Sequence, residues 1–230
     1  MILESLGAGV VVIGGAAHGA FHRNSFVFGK PITHVSGGGK RVALTFDDGP
    51  NPNATPFILD ALRDRGVKAT FFILGRHAEQ WPDLVRRVAD EGHSIGNHGW
   101  FHRKLHFKSP AYVRRDLTLG TEAIQRASGV TPHLFRAPHG FRAPWVTAIA
   151  RSLGQRTVGW SLGVWDSDRP GVDVIAQRTV DGARPGSILL LHDGDGYDPQ
   201  GDRTQTARAV PLIVDRLLAQ GFEFELFDAD

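Results

Sequence analysis

The feature that most constrains the fold is a regular alternation, from residue 41 onward, of short apolar runs with amphipathic stretches. The runs are rich in Val, Ile, Leu and Phe, a composition typical of short buried strands. The predicted strands are Val42–Phe46, Ala69–Leu74, Thr157–Leu162, Ser187–Leu191 and Phe222–Phe227, with two weaker ones at His93–Ile95 and His133–Phe135.

Helices are predicted between these strands, and their ends carry typical signals. A proline in the first turn opens three helices, and a glycine just beyond the last turn closes each of them. These three run from Thr55-Pro56 to Gly66, with Thr55 as N-cap, from Pro82 to Gly92, and from Ser109-Pro110 to Gly129. Three more are predicted near residues 143–152, 172–182 and 204–219.

Repeated strand–helix units produce parallel strands joined by right-handed crossovers. About seven such units predict an α/β fold, an irregular and imperfectly closed (β/α)7–8 barrel rather than an open sheet. In such a barrel the reactive side chains gather at the carboxyl ends of the strands. Polar motifs that directly follow the predicted strands are therefore the candidates for function.

The chain has 230 residues, of which 41% are hydrophobic, and this is enough for one well-filled core. We expect one domain at residues 40–230 and an N-terminal segment at residues 1–39. The apolar stretch Leu6–Ala17 is shorter than the roughly 20 residues of a membrane span, and it lacks the positive start of a secretory signal. It is expected either to pack on the domain or to be the remnant of an export or anchor segment.

Composition excludes several classes of function. Cysteine is absent, so the protein has no disulfides, thiolate nucleophiles or thiolate metal ligands, and His and Asp remain as strong ligands. Lys+Arg number 26 and Asp+Glu 24, so the charge is nearly balanced and nothing indicates nucleic-acid binding. No stable protein partner is indicated either.

Two motifs carry groups suited to metal chemistry. Asp47 and Asp48 directly follow the strand that ends at Phe46, where a catalytic or metal-binding role competes with an ordinary turn or helix cap. His98 and His102 are spaced i, i+4, which would place both imidazoles on one face of a helical turn. Pairs at this spacing also arise by chance, so the histidines alone do not decide the function.

Three later residues add to this group. Arg136 follows a weak strand and would hold a nearby carboxylate ionised, unless it is a surface arginine beside a turn proline. His192 ends a largely apolar run, where a titratable group has little structural purpose. Asp166 follows another strand and is placed to orient His192.

Together, five motifs in this order resemble those of the polysaccharide deacetylase family, the NodB-homology domain of carbohydrate esterase family 4. The resemblance covers about residues 40–228. The motifs are Thr45-Phe-Asp-Asp-Gly-Pro50, His98-Gly-Trp-Phe-His102, Phe135-Arg136-Ala-Pro-His139-Gly140, Trp165-Asp166 and Ser187-Ile-Leu-Leu-Leu-His192.

The resemblance implies a NodB-like barrel and a role for each matching residue. The implied catalytic residues are Asp47 as general base, Arg136 as its partner, His192 as general acid and Asp166 as the carboxylate that orients it. The implied ligands of a divalent metal, usually zinc, with Co²⁺, Mn²⁺ or Ni²⁺ as alternatives, are Asp48, His98 and His102. The implied substrate contacts are the backbone N–H of His139 at the oxyanion and Leu190 at the acetyl methyl group.

Three positions depart from the family pattern. Gly99 stands where the family has Ser or Thr, so a hydroxyl that steadies the loop is missing. His139 replaces a common aromatic residue, and Ser167 replaces the Trp that usually follows the fourth-motif aspartate. We therefore expect a looser second-motif loop, and Asp166 is the least direct of the assignments.

The implied function is a metal-dependent N-deacetylase acting on a β-1,4-linked N-acetylglucosamine polymer of the peptidoglycan or chitin type. The alternatives are an O-acetyl xylan esterase with the same site, an amidohydrolase for a small nitrogen compound, and a non-catalytic glycan-binding homologue. The substrate class favours an extracytoplasmic or membrane-associated location. The aromatic candidates for stacking on sugar rings are Trp100, Phe101, Phe141 and Trp165.

Overall fold

A computed structural model of the protein describes residues 14–36 and 38–226. Most of the apolar stretch Leu6–Ala17, and with it the expected export or anchor remnant, lies outside the described residues. The same holds for the end of the strand predicted at Phe222–Phe227. None of the helices in the described part of the chain is long and apolar enough to cross a membrane.

The described strands form one sheet in which every strand pair is parallel. The strands are β1 (Arg41–Asp47), β2 (Thr70–Ile73), β3 (Ser94–Asn97), β4 (Leu134–Phe135), β5 (Arg156–Thr157), β6 (Leu162–Gly163), β7 (Ile188–His192) and β8 (Glu223–Phe224). Their order is β5-β4-β3-β2-β1-β7-β6, and β8 pairs with the start of β1. The sheet curves as a barrel that stays open between β5 and β6, which confirms the predicted irregular α/β barrel.

Helices surround the sheet. They are α1 (Thr55–Arg63), α2 (Gly75–Gln80), α3 (Pro82–Asp90), α4 (Pro110–Ser128), α5 (Val146–Ser152), α6 (Val172–Gly182) and α7 (Thr204–Ala219). Short 3₁₀ turns occur at Leu105–Phe107, Pro138–Gly140 and Asp166–Asp168, and residues 14–21 are helical.

The predicted helix signals are mostly confirmed. Proline lies in the first turn of α1, α3 and α4, and α4 ends at Gly129, whose φ of 76° suits glycine. Thr55 is not the N-cap of α1, because Ala54 precedes the first helical residue. The Thr55 hydroxyl instead accepts from the backbone N–H of Asn51 at 2.8 Å and donates to Asp193 at 2.6 Å.

One predicted strand is wrong in its extent. The run Thr157–Leu162 divides into β5 and β6, and the intervening residues leave the sheet. The N–H of Gly159 donates to the carbonyl of Ile32 at 2.7 Å, so the N-terminal segment pairs with this part of the chain. Pairing with a distant segment is a tertiary effect that an apolar run does not reveal.

Strand alternation positions the site. In β1, Val42, Leu44 and Phe46 belong to the main core beneath the helices, whereas Ala43 belongs to a separate cluster inside the barrel. Because strand side chains alternate, Thr45 and Asp47 continue the line begun by Ala43. In β7 the same rule places Leu190 and His192 on the interior with Ile188, since Leu189 and Leu191 lie in the main core. The last residues of both interior lines, Asp47 and His192, are register partners.

Candidate active site

A cleft of about 520 Å³ opens at the carboxyl ends of the strands. Its floor is formed by the last residues of β1 and β7 and by the loops that follow β3 and β6. The predicted site residues that line it are Asp47, Asp48, His98, His102, His139, Trp165, Asp166, Leu190 and His192.

Asp47 is held by a buried arginine. The Arg136 guanidinium donates through Nη1 to Asp47 Oδ1 at 2.7 Å and to the Thr45 hydroxyl at 2.8 Å, and through Nη2 to the Gly159 carbonyl at 2.8 Å. Arg136 is fully buried and its guanidinium carbon lies 4.0 Å from the centre of the Phe72 ring. Burial lowers the pKa of Arg136, and the negative charge of Asp47 opposes that shift. This arrangement keeps a carboxylate fixed at the cleft floor and excludes the surface alternative for Arg136.

Asp48, His98 and His102 converge beside it. All three are buried, and one potential ligand atom from each lies within 4.8 Å of the others. The Nε2 atoms of His98 and His102 lie 3.3 Å and 3.1 Å from Asp48 Oδ1. Burial would raise the pKa of Asp48, but the two histidines lower it well below its usual range. Burial lowers the pKa of His102 to about 3, which keeps that imidazole neutral.

These residues fit a divalent metal. His98 Nδ1 donates to the Arg136 carbonyl at 2.8 Å, so a neutral His98 turns the lone pair of Nε2 toward Asp48. The buried Oδ1 of Asp48 has no hydrogen-bond partner among the described residues, although both imidazoles face it. Two imidazoles and one carboxylate form a common ligand set for catalytic zinc and related metals.

The predicted helical turn at His98 and His102 is wrong. Residues 98–102 form a loop in which Gly99 has a φ of 81° and His102 a φ of 54°. The loop is tight enough to bring the two imidazole centres to 5.3 Å from each other. The two histidines do lie close together, as the spacing predicted, but left-handed backbone rather than a helix face brings them there.

A carboxylate steadies this loop in place of the missing hydroxyl. Asp116 on α4 accepts from the backbone N–H groups of Trp100 and Phe101 at 3.1 Å and 3.2 Å. Asn97 Oδ1 accepts from the N–H of Gly99 at 2.8 Å. A Cβ on Gly99 would collide with Asp116 Oδ2, so a Ser or Thr there is incompatible with this arrangement. Asp116 thus supplies hydrogen bonds from the space that a hydroxyl side chain would need, and the looseness of the loop stays a prediction.

His192 forms a hydrogen-bonded pair with Asp166. His192 Nδ1 donates to Asp166 Oδ1 at 2.9 Å, and the His192 backbone N–H donates to Oδ2 at 2.8 Å. The Thr206 hydroxyl also donates to Oδ2 at 2.8 Å. Burial would lower the pKa of His192, but Asp166, with Asp48 and Asp47 farther off, raises it to about 9. The raised pKa favours the protonated imidazole, and His192 lines the cleft.

The comparison with protein families agrees with this geometry. The polysaccharide deacetylase family model matches residues 34–158, just over half of the chain. The chain belongs to the polysaccharide deacetylase family.

Individual relatives agree with that family. This deacetylase is 40% identical to a chitooligosaccharide deacetylase of Bradyrhizobium sp. (strain ANU 289), over 81% of this chain and 88% of that protein. It is 38% identical to a peptidoglycan-N-acetylglucosamine deacetylase of Bacillus cereus, over 80% of this chain and 85% of that protein. The structure of a family 4 carbohydrate esterase from Streptomyces lividans, solved with acetate, has a TM-score of 0.74 at 31% identity and covers 83% and 94% of the two chains.

The deacetylase is thus a metal-dependent hydrolase by family, with the Asp48–His98–His102 group as its candidate metal site. The resemblance stated on the five motifs is confirmed at the level of the family and of the barrel. The residue roles remain predictions that the geometry supports.

Two of the four predicted aromatic residues line the cleft. Phe141 and Trp165 do so, and the Trp165 side chain is 71% exposed. Trp100 packs against the main core, and Phe101 lies outside the cleft lining. Further rings at the cleft that sequence reasoning missed are Phe21, Trp160 and Tyr197.

Several supporting residues also escaped the sequence analysis. His77 on α2 donates through Nδ1 to the Asp48 carbonyl at 2.8 Å, which holds the backbone of this candidate ligand at a φ of 73°. Asp193 is buried beside His192, and burial raises its pKa to about 7. His77 falls in no recognisable motif, whereas Asp193 directly follows His192 at the end of the last motif, and that position was its only signal.

Proposed function

We propose that this deacetylase hydrolyses N-acetyl groups of a β-1,4-linked N-acetylglucosamine polymer or oligomer, of the chitin or peptidoglycan type. The observation that carries the proposal is that Asp47, the Asp48–His98–His102 group and His192 line one cleft. A base, a metal-binding trio and a protonated acid are the three groups that amide hydrolysis needs. The printed names of the two relatives described above favour an amino-sugar substrate.

The metal we propose is zinc, held by Asp48, His98 and His102, with Co²⁺, Mn²⁺ or Ni²⁺ as alternatives. When bound, such a metal supplies Lewis-acid polarisation and lowers the pKa of a nearby water. Both imidazoles turn Nε2 toward Asp48, since Nδ1 of His98 donates to a backbone carbonyl, and burial disfavours the charged form of His102.

Asp47 is the proposed general base. Its Oδ2 lies 3.7 Å from His98 Nε2, so the carboxylate faces the metal ligands while Oδ1 is bound to Arg136. The buried guanidinium fixes the oxygen that does not react. Asp47 then takes the proton of the water that attacks the acetamide carbonyl.

His192 is the proposed general acid. An amine leaves an amide only when its nitrogen is protonated, and His192 carries a proton at neutral pH. Asp166 holds the imidazole by Nδ1, so Nε2 is the atom that delivers the proton. We propose that the N–H of His139 stabilises the oxyanion, that Leu190 contacts the acetyl methyl group, and that Trp165 contacts a sugar ring.

The test is acetate release by the zinc-reconstituted protein from chitin oligomers, peptidoglycan fragments and acetylated xylan. We expect release from the amino-sugar substrates. Release from xylan alone would contradict the proposal in favour of an O-acetyl esterase. Absence of release from all three, with zinc bound, would favour a small-amide hydrolase or a non-catalytic glycan-binding protein.

A further inference from the structure

One wall of the cleft comes from the N-terminal segment rather than from the barrel. Phe21, His22 and Arg23 line the cleft together with the catalytic groups. They precede residue 34, where the match to the family model begins. The substrate surface at this wall is therefore built by a part of the chain to which the family motifs assign no role.

A buried arginine anchors this wall to the barrel. Arg142 is only 1% exposed, and its guanidinium donates to the carbonyls of Arg23 at 3.3 Å, Ser25 at 2.6 Å and Gly29 at 3.1 Å. Its backbone N–H donates to the carbonyl of Ala20 at 3.2 Å. A buried guanidinium is costly unless its donors are satisfied. Residues 20–29 thus have a defined place against the barrel.

Phe21 presents an aromatic surface that continues into the active site. Its ring is 52% exposed, and its centre lies 5.7 Å from that of Phe141, in an edge-to-face arrangement. The Phe141 ring lies 6.1 Å from His139, and His139 lies 4.5 Å from the candidate ligand His102. A row of rings therefore leads from the N-terminal wall to the candidate metal site.

Arg23 approaches the active site from the same wall. Its guanidinium lies over the Trp160 ring at 5.4 Å, and the Arg136 guanidinium lies 5.7 Å from the same ring. Arg23 and Arg136, the arginine that binds Asp47, thus both lie near the Trp160 ring. No carboxylate of the described residues forms an ion pair with Arg23, although this residue is exposed and lines the cleft. Its N–H donors are therefore available to a ligand.

We propose that Phe21 and Arg23 form a binding subsite for the sugar unit next to the one that loses its acetyl group. Phe21 offers a ring face to the apolar C–H face of a pyranose, and Arg23 donates to the hydroxyl or acetamide oxygens of that unit. This inference rests on the proposed function, and it adds that the enzyme takes oligomers in preference to a single acetylated sugar.

The test is calorimetric binding of N-acetylglucosamine oligomers, from dimer to pentamer, to the metal-loaded protein carrying His192→Ala, which prevents turnover. In this background we expect affinity to rise with length. Phe21→Ala and Arg23→Gln should each weaken tetramer binding about 10-fold and reduce the gain from dimer to tetramer. Phe21→Leu keeps an apolar side chain but removes the ring, so it should also reduce the gain in affinity from dimer to tetramer.

Matched controls are Phe57→Ala and Arg151→Gln, because both side chains are exposed and lie outside the cleft lining. They should leave the length dependence unchanged. Unaltered tetramer affinity in the Phe21 and Arg23 variants would overturn the subsite, even in an enzyme that releases acetate. Failure of the unmodified protein to release acetate from any amino-sugar substrate would instead contradict the proposed function, and the two failures are thus distinguishable.

Discussion

Two regions of the molecule supply residues to the cleft, and different contacts hold them in place. One region is the carboxyl ends of β1 and β7, and the other is the loops after β3 and β6. Asp47 and His192 are the last residues of neighbouring strands and are paired in register. Their positions follow from the ladder of backbone hydrogen bonds that runs the length of both strands. The sheet therefore fixes the distance between the proposed base and the proposed acid.

The loops have no such ladder. His102 and Trp165 both have left-handed backbone, with φ of 54° and 58°. The loop before His102 is held by the two N–H groups that donate to Asp116. The comparison teaches that the fold secures the proposed proton-transfer groups, whereas individual side chains from outside the loop secure a candidate metal ligand. Variants at the two kinds of position should fail in different ways.

The largest effect is expected at a strand end. Asp47→Asn removes the proposed base and should lower kcat/KM by about 10²–10⁴-fold, while bound metal stays near the level of the unmodified protein. His98→Ala should lose activity and metal together. Metal analysis of both purified variants checks this difference, with Asp83→Asn and His133→Ala as exposed controls. Equal loss of metal in Asp47→Asn and His98→Ala would contradict the assigned roles.

Asp166→Asn should lower the rate at neutral pH by about 10²-fold or more, because His192 loses the charge that raises its pKa to about 9. Because the pKa of His192 should fall in the variant, the alkaline limb of the pH–rate profile should move to lower pH. In the unmodified protein the raised pKa also stabilises the folded state below the ordinary histidine value of about 6.5, and this contribution to stability disappears as the pH rises through about 9. A limb that stays in place would show that His192 is not the titrating acid.

In the loops the expected effect is smaller and concerns the metal. Asp116→Ala frees the N–H groups of Trp100 and Phe101 and should weaken metal affinity about 10- to 100-fold, as loss of a supporting contact behind a ligand commonly does. Asp116→Asn keeps one acceptor oxygen and should retain more affinity. Competition with a chelator measures both. An unchanged affinity in Asp116→Ala would mean that the loop holds its shape without this carboxylate.

The smallest effect is expected at Trp165, whose exposed side chain is attached to left-handed backbone. Trp165→Gly should relieve about 1 kcal/mol of backbone strain and raise Tm by about 2–4 °C. The same variant should raise KM for an oligomer a few-fold if the indole contacts a sugar ring. Trp165→Ala, which keeps the backbone penalty, should raise KM without raising Tm.

Much of this molecule is readable from sequence where local patterns act alone. The apolar runs of β1, β2 and β7 and the proline-led helices were predicted, because burial and helix starts leave local signals. The short helix α2 and the division between β5 and β6 were not. Gly159 pairs with Ile32, more than a hundred residues earlier, and no local pattern encodes such a contact.

The site shows the same limit. The strand-end groups Asp47 and His192 and the motif residue Arg136 were found, because each stands in a motif after an apolar run. Asp116 and Phe21 were missed, because a mid-helix aspartate and a phenylalanine before the barrel look ordinary until the fold places Asp116 against the second-motif loop and Phe21 at the cleft. Three-dimensional packing, rather than spacing, gives these residues their importance.

The way Arg142 holds the N-terminal wall has a consequence for how such enzymes diverge. Its guanidinium donates to three main-chain carbonyls of residues 23–29, so this part of the attachment does not depend on which side chains residues 21–23 carry. Those side chains can vary without loss of these three hydrogen bonds, as in a binding loop carried on a constant framework. Selection can therefore retune which glycan the enzyme prefers while the barrel and its chemistry stay untouched.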